Sequence, residues 1–291
     1  MADGAERSKA ALAVTIGATL LGLSPICVRL SELGPQATNL WRFVLALPIL
    51  GLLAGQGRAP SRPQIGWLLA AGLLFGLEVS LWAAALGLTT VTNATLLSNM
   101  TPIFAVGIGW LLFRERLARA TALGGVTALA GAVILAVARA QSASGHAAGL
   151  HGWIGDGLGF SAALGYAGYL MIVRALGGRV GVGAVMFWAT LGAAVFELAL
   201  SLALGETLLP RTAQGWIPLL VLGFIVQVGG QGLIAHGVGR LPIAISTVLL
   251  WMQPLAAAVL SWVMFDESLS PLALAGAALI LGGVFVVQRS R

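Results

Sequence analysis

Long apolar runs alternate with short polar, glycine- or proline-bearing breaks along the whole chain. Ten runs stand out, at 10–30, 37–55, 65–86, 92–113, 119–138, 153–174, 183–204, 215–238, 243–264 and 271–287. An α-helix needs about 20 apolar residues to cross a hydrocarbon core, so each run predicts a spanning helix. The breaks include "SELGP", "GQGRAPSRP" and "RALGGR". The longest, "RAQSASGHAAGLHG" from Arg139 to Gly152, is small and polar and separates five runs from five. The pattern predicts an all-α integral membrane protein. It has a first five-helix unit at 1–138, a linker at 139–152 and a second five-helix unit at 153–291.

The two units share a phrase. "MTPIFAVGIGWLLFRERL" begins at Met100, and "MQPLAAAVLSWVMFDESL" begins at Met252, 152 residues later. Between Thr95 and Gly131, twelve positions are identical to their mates at that offset, among them Pro102/Pro254, Trp110/Trp262, Glu115/Glu267, Gly124/Gly276 and Gly131/Gly283. Composition bias repeats Leu and Ala; it does not repeat Pro, Trp, Glu and Gly in register. The chain is an internal duplication. Five is odd, so the second copy enters the membrane upside down. Inverted repeats of this kind are typical of secondary transporters, because exchanging the conformations of two halves closes one side and opens the other.

Composition narrows the class. Charged residues are 9% of the chain, hydrophobic residues 58%, and mean hydropathy is +0.96. A soluble domain carries about a quarter charged residues, so a water-facing globule is excluded. The net charge of +6 does not indicate nucleic acid, because the arginines are scattered between apolar runs. Lys9 followed by an apolar run mimics a signal peptide, but further runs make that run the first span. With ten spans, both termini lie on one side. If that side is cytoplasmic, twelve basic residues fall inside and three outside, with Arg42 in the second span. The expected location is a bacterial inner membrane, multi-pass, with both ends cytoplasmic.

Polar residues inside the runs are candidate site residues, since ionisable groups are costly in hydrocarbon. Arg42, Glu78 and Glu197 stand out among the charged ones. Glu78, deep in the third run, lines a cavity, meets a substrate ammonium or pairs with Arg42. Asn93, Asn99, Gln227, Gln231, His236 and Gln253 are softer. Trp82, Tyr166, Tyr169, Trp188 and Trp251 lie too near mid-span for an interfacial belt. The candidate substrate-binding set is Glu78, Trp82, Asn93, Asn99, Tyr166, Tyr169, Trp188, Gln227, Trp251 and Gln253. It suits a small amphipathic solute: amides and charges for the polar end, rings for the apolar end. Pro102 and Pro254 each remove a backbone donor and are candidate kinks or gates. Glu115 and Glu267 are expected to brace the turn into the next helix.

No His, Cys and carboxylate set has metal-ligand spacing, and Cys27 is the single cysteine. No phosphate loop or nucleophile elbow is present, and Lys9 is the only lysine. The expectation is a protein with no cofactor and no enzymatic activity, whose partners are a small molecule and the lipid bilayer, with one copy sufficient.

The duplicated "P…FRERL" and "P…FDESL" units, with glycines in the following helix, resemble the drug/metabolite transporter superfamily. They look like its ten-span exporters with two EamA-type domains. The resemblance covers nearly the whole chain. It implies export by alternating access through a central cavity, with the first four helices of each half around it and the fifth in support. "NATLLSNMTPIF", "ISTVLLWMQPL" and the mid-membrane aromatics look like bacterial aromatic amino acid exporters. Export of aromatic and other neutral amino acids is therefore the leading expectation. Metabolite or cationic-drug efflux, with Glu78 reading positive charge, is the alternative. A membrane-embedded lipid transferase and a passive channel complete the classes weighed.

Overall fold

The computed structural model describes residues 2–88, 97–114, 118–142, 150–265 and 270–289. Helices dominate, and no strand is present among the described residues. Eight helices are long and apolar enough to cross a membrane: α1 (Ala5–Leu30), α2 (Pro35–Ala54), α3 (Arg62–Ala85), α6 (Gly152–Leu176), α7 (Val182–Ala203), α8 (Trp216–Val238), α9 (Ile243–Met264) and α10 (Pro271–Arg289). Two shorter apolar helices, α4 (Thr101–Leu112) and α5 (Arg119–Leu135), lie in the predicted runs 92–113 and 119–138. All ten runs thus contain a helix, eight of which meet the length of a span.

The outside of this bundle is apolar. Leu52, Leu111 and Trp153 are more than 70% exposed (73, 71 and 80%), which water would penalise and lipid would not. Inside, the closest packing is made by small residues. A Cβ on Gly131 of α5 would stand 2.6 Å from the carbonyl oxygen of Gly276 on α10, and one on Gly124 would stand 2.7 Å from that of Gly283. Only glycine lets these backbones approach so closely, as small-residue stripes do between membrane helices. The two contacts are also mates of each other under the 152-residue repeat.

That reciprocity extends to the other principal contacts between the two five-helix units. The pairing α1 on α8 is matched by α3 on α6, α3 on α7 by α2 on α8, and α4 on α6 by α1 on α9. The self-mated pairs α2 on α7, α4 on α9 and α5 on α10 also touch. Such swapping of i–j and j–i contacts is the mark of a two-fold relation. The two units interleave, and the seams between them form most of the core.

The proline helices are interrupted at equivalent places. A turn at Asn99–Met100 precedes the helix that starts at Thr101, and a turn at Leu250–Trp251 precedes the one that starts at Met252. Pro102 and Pro254 are then near the first positions of new helices, where a missing N–H leaves nothing unsatisfied. The C-terminus of the Thr101–Phe113 helix is closed by Arg114 in the left-handed region, φ 52°. Glu115 and Glu267, expected to brace the following turns, lie outside the described residues.

The α2·α7 seam is tied at both ends. At one end, Glu206 accepts a hydrogen bond from the Ala37 backbone N–H (2.7 Å), Trp41 Nε1 donates to the Leu208 carbonyl (2.5 Å), and the Trp41 and Trp216 rings meet edge to face at 4.7 Å. Glu32 there accepts from the N–H groups of Arg211 (2.8 Å) and Thr212 (3.1 Å) and from the Thr212 hydroxyl. These bonds, the hydroxyl of Thr212 first, hold the Glu32 carboxyl below its ordinary range. At the opposite end, the Gly181 N–H donates to the Arg58 carbonyl at 2.9 Å.

Candidate functional site

The site grows from Arg42, in the middle of α2. An arginine near a helix end can snorkel to water; this one is 4% exposed and stays inside. Its Nε donates to Gln227 Oε1 at 3.0 Å, and one terminal nitrogen stands 3.5 Å from Ser24 Oγ. Gln227 Nε2 in turn donates to Thr190 Oγ1 at 3.0 Å. The guanidinium carbon lies 5.6 Å from the Phe43 ring centre and 5.4 Å from that of Phe75, within cation–π range. Hydrogen bonds to a buried charge are worth about 1.5–3 kcal/mol each, so this cradle offsets much of the cost of placing a guanidinium in hydrocarbon.

Glu78 follows Phe75, whose ring meets the Arg42 guanidinium, by one turn. It sits on α3, half-buried, with Gly165 of α6 packed on its stem: a Cβ at Gly165 would lie 3.5 Å from the Glu78 Cβ. Phe75, one turn earlier, carries an aromatic cluster. Its ring centre lies 5.5 Å from Phe43, 6.0 Å from Tyr166 and 4.9 Å from Tyr169, and the two tyrosines stack at 5.7 Å. Tyr169 is buried and its hydroxyl faces Met186 Sδ at 3.9 Å. Tyr166 is half-buried. Gln231 lies near enough to its hydroxyl to interact electrostatically, but neither side chain makes a hydrogen bond of good geometry.

The repeat explains this arrangement. Glu78 stands eleven residues after Trp67 on α3, and Gln227 eleven after Trp216 on α8. Trp82 and Gln231 are matched in the same way. Arg42 is bonded to Gln227 of α8 and faces Phe75 of α3, one turn before Glu78. Around Gln227 the α8 backbone is wound as a π-helix from Val221 to Gln231, an uncommon form that recurs at functional positions.

Other predicted residues are placed as follows. Trp82 is half-buried one turn beyond Glu78, and Trp188 is half-buried against Phe187, ring centres 5.3 Å apart. Asn99 and Trp251, mates under the repeat, meet where the proline helices break: Trp251 Nε1 lies 3.4 Å from the Asn99 carbonyl oxygen. Gln253, half-buried, follows in the same turn. Asn93 lies outside the described residues. Of the substrate set, then, Glu78, Tyr166, Tyr169 and Gln227 gather around Arg42, while Asn99, Trp251 and Gln253 form a separate group at the helix breaks. The candidate set omitted Arg42 itself, with Phe43, Phe75, Ser24 and Thr190. Arg42 was detectable as a charge in an apolar run; the phenylalanines carried no signal, because lipid accepts them equally.

Glu197 of α7 is fully buried. Its Oε1 accepts from Ser80 Oγ at 2.9 Å, and its Oε2 has no hydrogen-bond partner. Among the described residues, no group of three His, Cys, Asp or Glu side chains has the proximity to hold a metal.

Known proteins agree with the fold and define the family. A solved crystal structure of another protein, 23% identical, superposes with a TM-score of 0.80 over 95% of both chains, which shows a shared fold. A protein of Streptantibioticus cattleyicolor described as a probable terminal-alkyne amino-acid exporter is 27% identical over 285 residues, 96% of this chain and 92% of its own. An uncharacterized transporter of Bacillus subtilis, YetK, is 26% identical over 200 residues, 68% of this chain and 60% of its own. The model of the EamA-like transporter family matches twice, at residues 8–137 and 153–289, so this multi-pass membrane protein belongs to the EamA-like transporter family.

Proposed function

We propose that the chain exports neutral amino acids with aromatic or other apolar side chains across a bacterial inner membrane. The observation that carries this reading is the buried Arg42 guanidinium against the Phe75 ring, which packs on Tyr166 and Tyr169, with Glu78 one turn beyond Phe75 on the same helix. An amino acid is a zwitterion with an apolar appendage. Its carboxylate matches the guanidinium fork of Arg42, its ammonium matches Glu78, and its side chain matches the rings. A half-open carboxylate in mid-membrane is costly against lipid, which favours a polar cargo or water beside Glu78. The description of the Streptantibioticus relative as an amino-acid exporter supports the same cargo class.

Movement follows from the two-fold relation. Ten crossing helices in two inverted units, both termini cytoplasmic, enclose one route. The two units exchange conformations, and the cargo site near their common axis faces one side and then the other. The reciprocal packing supports this reading, as do the equivalent breaks before Pro102 and Pro254. Reconstituted vesicles test it. Phenylalanine flux should exceed that of a sugar or a cationic dye and should fall in Glu78→Gln. Equal flux of every small solute would defeat it.

A further inference from the structure

Two glutamines stand one turn apart on the π-wound stretch of α8, and they are used differently. Gln227 is spent on the fold: its Oε1 accepts from Arg42 Nε at 3.0 Å, and its Nε2 donates to Thr190 Oγ1 at 3.0 Å. Gln231 is fully buried, yet neither its Nε2 nor its Oε1 has a hydrogen-bond partner among the described residues. The Tyr166 hydroxyl beside it is also buried and also unpartnered. Buried polar groups in folded proteins are almost always paired, and one left unpaired costs its full desolvation. An amide carries both donors and an acceptor, and a phenol carries one of each, so the missing partner both donates and accepts. Its surroundings are aromatic. The Tyr166 ring lies nearly parallel to Tyr169, 13° at 5.7 Å, and 33° from Phe75 at 6.0 Å. Tyr169 is buried and Tyr166 half-buried, so the Tyr166 ring is the one with surface left for a further ring. Phe75 touches both the Arg42 guanidinium and the Tyr166 ring, so one small molecule reaches from Arg42 to Gln231.

We infer that the Gln231 amide and the Tyr166 hydroxyl receive a hydroxyl at the far end of the cargo's side chain, which makes hydroxyl-bearing aromatic amino acids of the tyrosine type the preferred cargo. The inference rests on the cargo site proposed at Arg42 and Glu78, and it makes Gln231 the residue that selects among aromatic side chains. The cargo ring lies on Tyr166. Its hydroxyl donates to Gln231 Oε1 and accepts from Nε2 or from the Tyr166 hydroxyl. A plain phenyl ring fits the same space but leaves these groups unpaired, and a site built to bond a hydroxyl rejects the analogue that lacks one.

Two measurements test this. The first is calorimetric titration of the purified protein with tyrosine, phenylalanine and 4-methylphenylalanine, the last matching tyrosine in size without its hydrogen bonds. Tyrosine should bind at least about tenfold more tightly than either. Gln231→Met should bring the ratio towards one, and Tyr166→Phe, which keeps the ring, should bring it part of the way. Equal binding of tyrosine and phenylalanine by wild type, or an unchanged ratio in Gln231→Met, overturns the inference. The second needs no cargo. Gln231→Met removes an amide that the fold does not bond, so the unliganded variant should melt no lower than wild type. Gln227→Met, which strips a partner from Arg42 and Thr190, should melt lower. A Gln231→Met protein that melts as low as Gln227→Met, or fails to fold, overturns the inference, because the amide then serves the structure. Phenylalanine bound without a preference for tyrosine defeats the inference alone. If none of the three amino acids binds, the cargo reading fails and the inference falls with it.

Discussion

The α5·α10 pair and the core around Arg42 are both seams between the same two units, yet they are built from opposite materials. The first is glycine on glycine, with Gly131 against Gly276 and Gly124 against Gly283, and its two contacts are strict mates. The second is polar and aromatic, with Arg42 bonded to Gln227 and set against Phe75, one turn before Glu78. Symmetry is retained where the protein needs only close packing. The first seam is close packing alone; the second carries the polar groups of the proposed cargo site.

Substitutions separate the two seams. Arg42→Met is expected to have the largest effect. Removing one member of a buried charged set leaves its partners uncompensated, at about 3–5 kcal/mol. Phenylalanine flux should vanish and thermal stability should fall together. Arg42→Lys should not restore flux, because an ammonium lacks the planar fork that reaches Gln227. Glu78→Gln comes next. Losing one charge-assisted contact to the cargo ammonium, about 1.5–3 kcal/mol, lowers phenylalanine flux roughly tenfold to a hundredfold. Folding should suffer less than in Arg42→Met, because Gln227, Ser24 and the Phe43 and Phe75 rings still hold the guanidinium. Gly131→Leu should do the reverse. Overpacking at the Gly276 carbonyl costs about 1–3 kcal/mol, lowering the melting temperature while flux per folded molecule holds. If Gly131→Leu abolishes flux in molecules that remain folded, the division between the seams fails.

Much of this contrast was legible in the residues, for reasons that differ by element. Apolar run length located every helix, because hydrocarbon thickness fixes it. The prolines announced the breaks at Asn99–Met100 and Leu250–Trp251, since a ring without an N–H begins helices more easily than it continues them. The side of each helix that faces its neighbours was not legible. Lipid is as apolar as the core, so Phe43 and Phe75 leave no periodic trace of packing around Arg42. The π-winding from Val221 to Gln231 left none either. Charged, amide and mid-span aromatic residues signalled the interior, and Glu78 was placed in the candidate set while Arg42 was not.

The smallest expected effect lies at the end of the α2·α7 seam. The Glu32 carboxyl is lowered by its bonds to Thr212 and Arg211. Its contribution is therefore present above the ordinary carboxylate range and lost as pH falls through the lowered value. Wild type should melt slightly above Glu32→Gln at neutral pH, and the difference should close in acid. A difference that persists undiminished in acid would mean that the charge of Glu32 is not what ties the loop.

The central claim is that a zwitterion fits between Arg42 and Glu78. Calorimetric titration of the purified protein with phenylalanine and with 3-phenylpropionate, which lacks the ammonium, tests it most directly. The account predicts that phenylalanine binds wild type far more tightly than 3-phenylpropionate does, and that Glu78→Gln erases the preference. Equal binding of the two ligands by wild type, or an unchanged preference in Glu78→Gln, would contradict it.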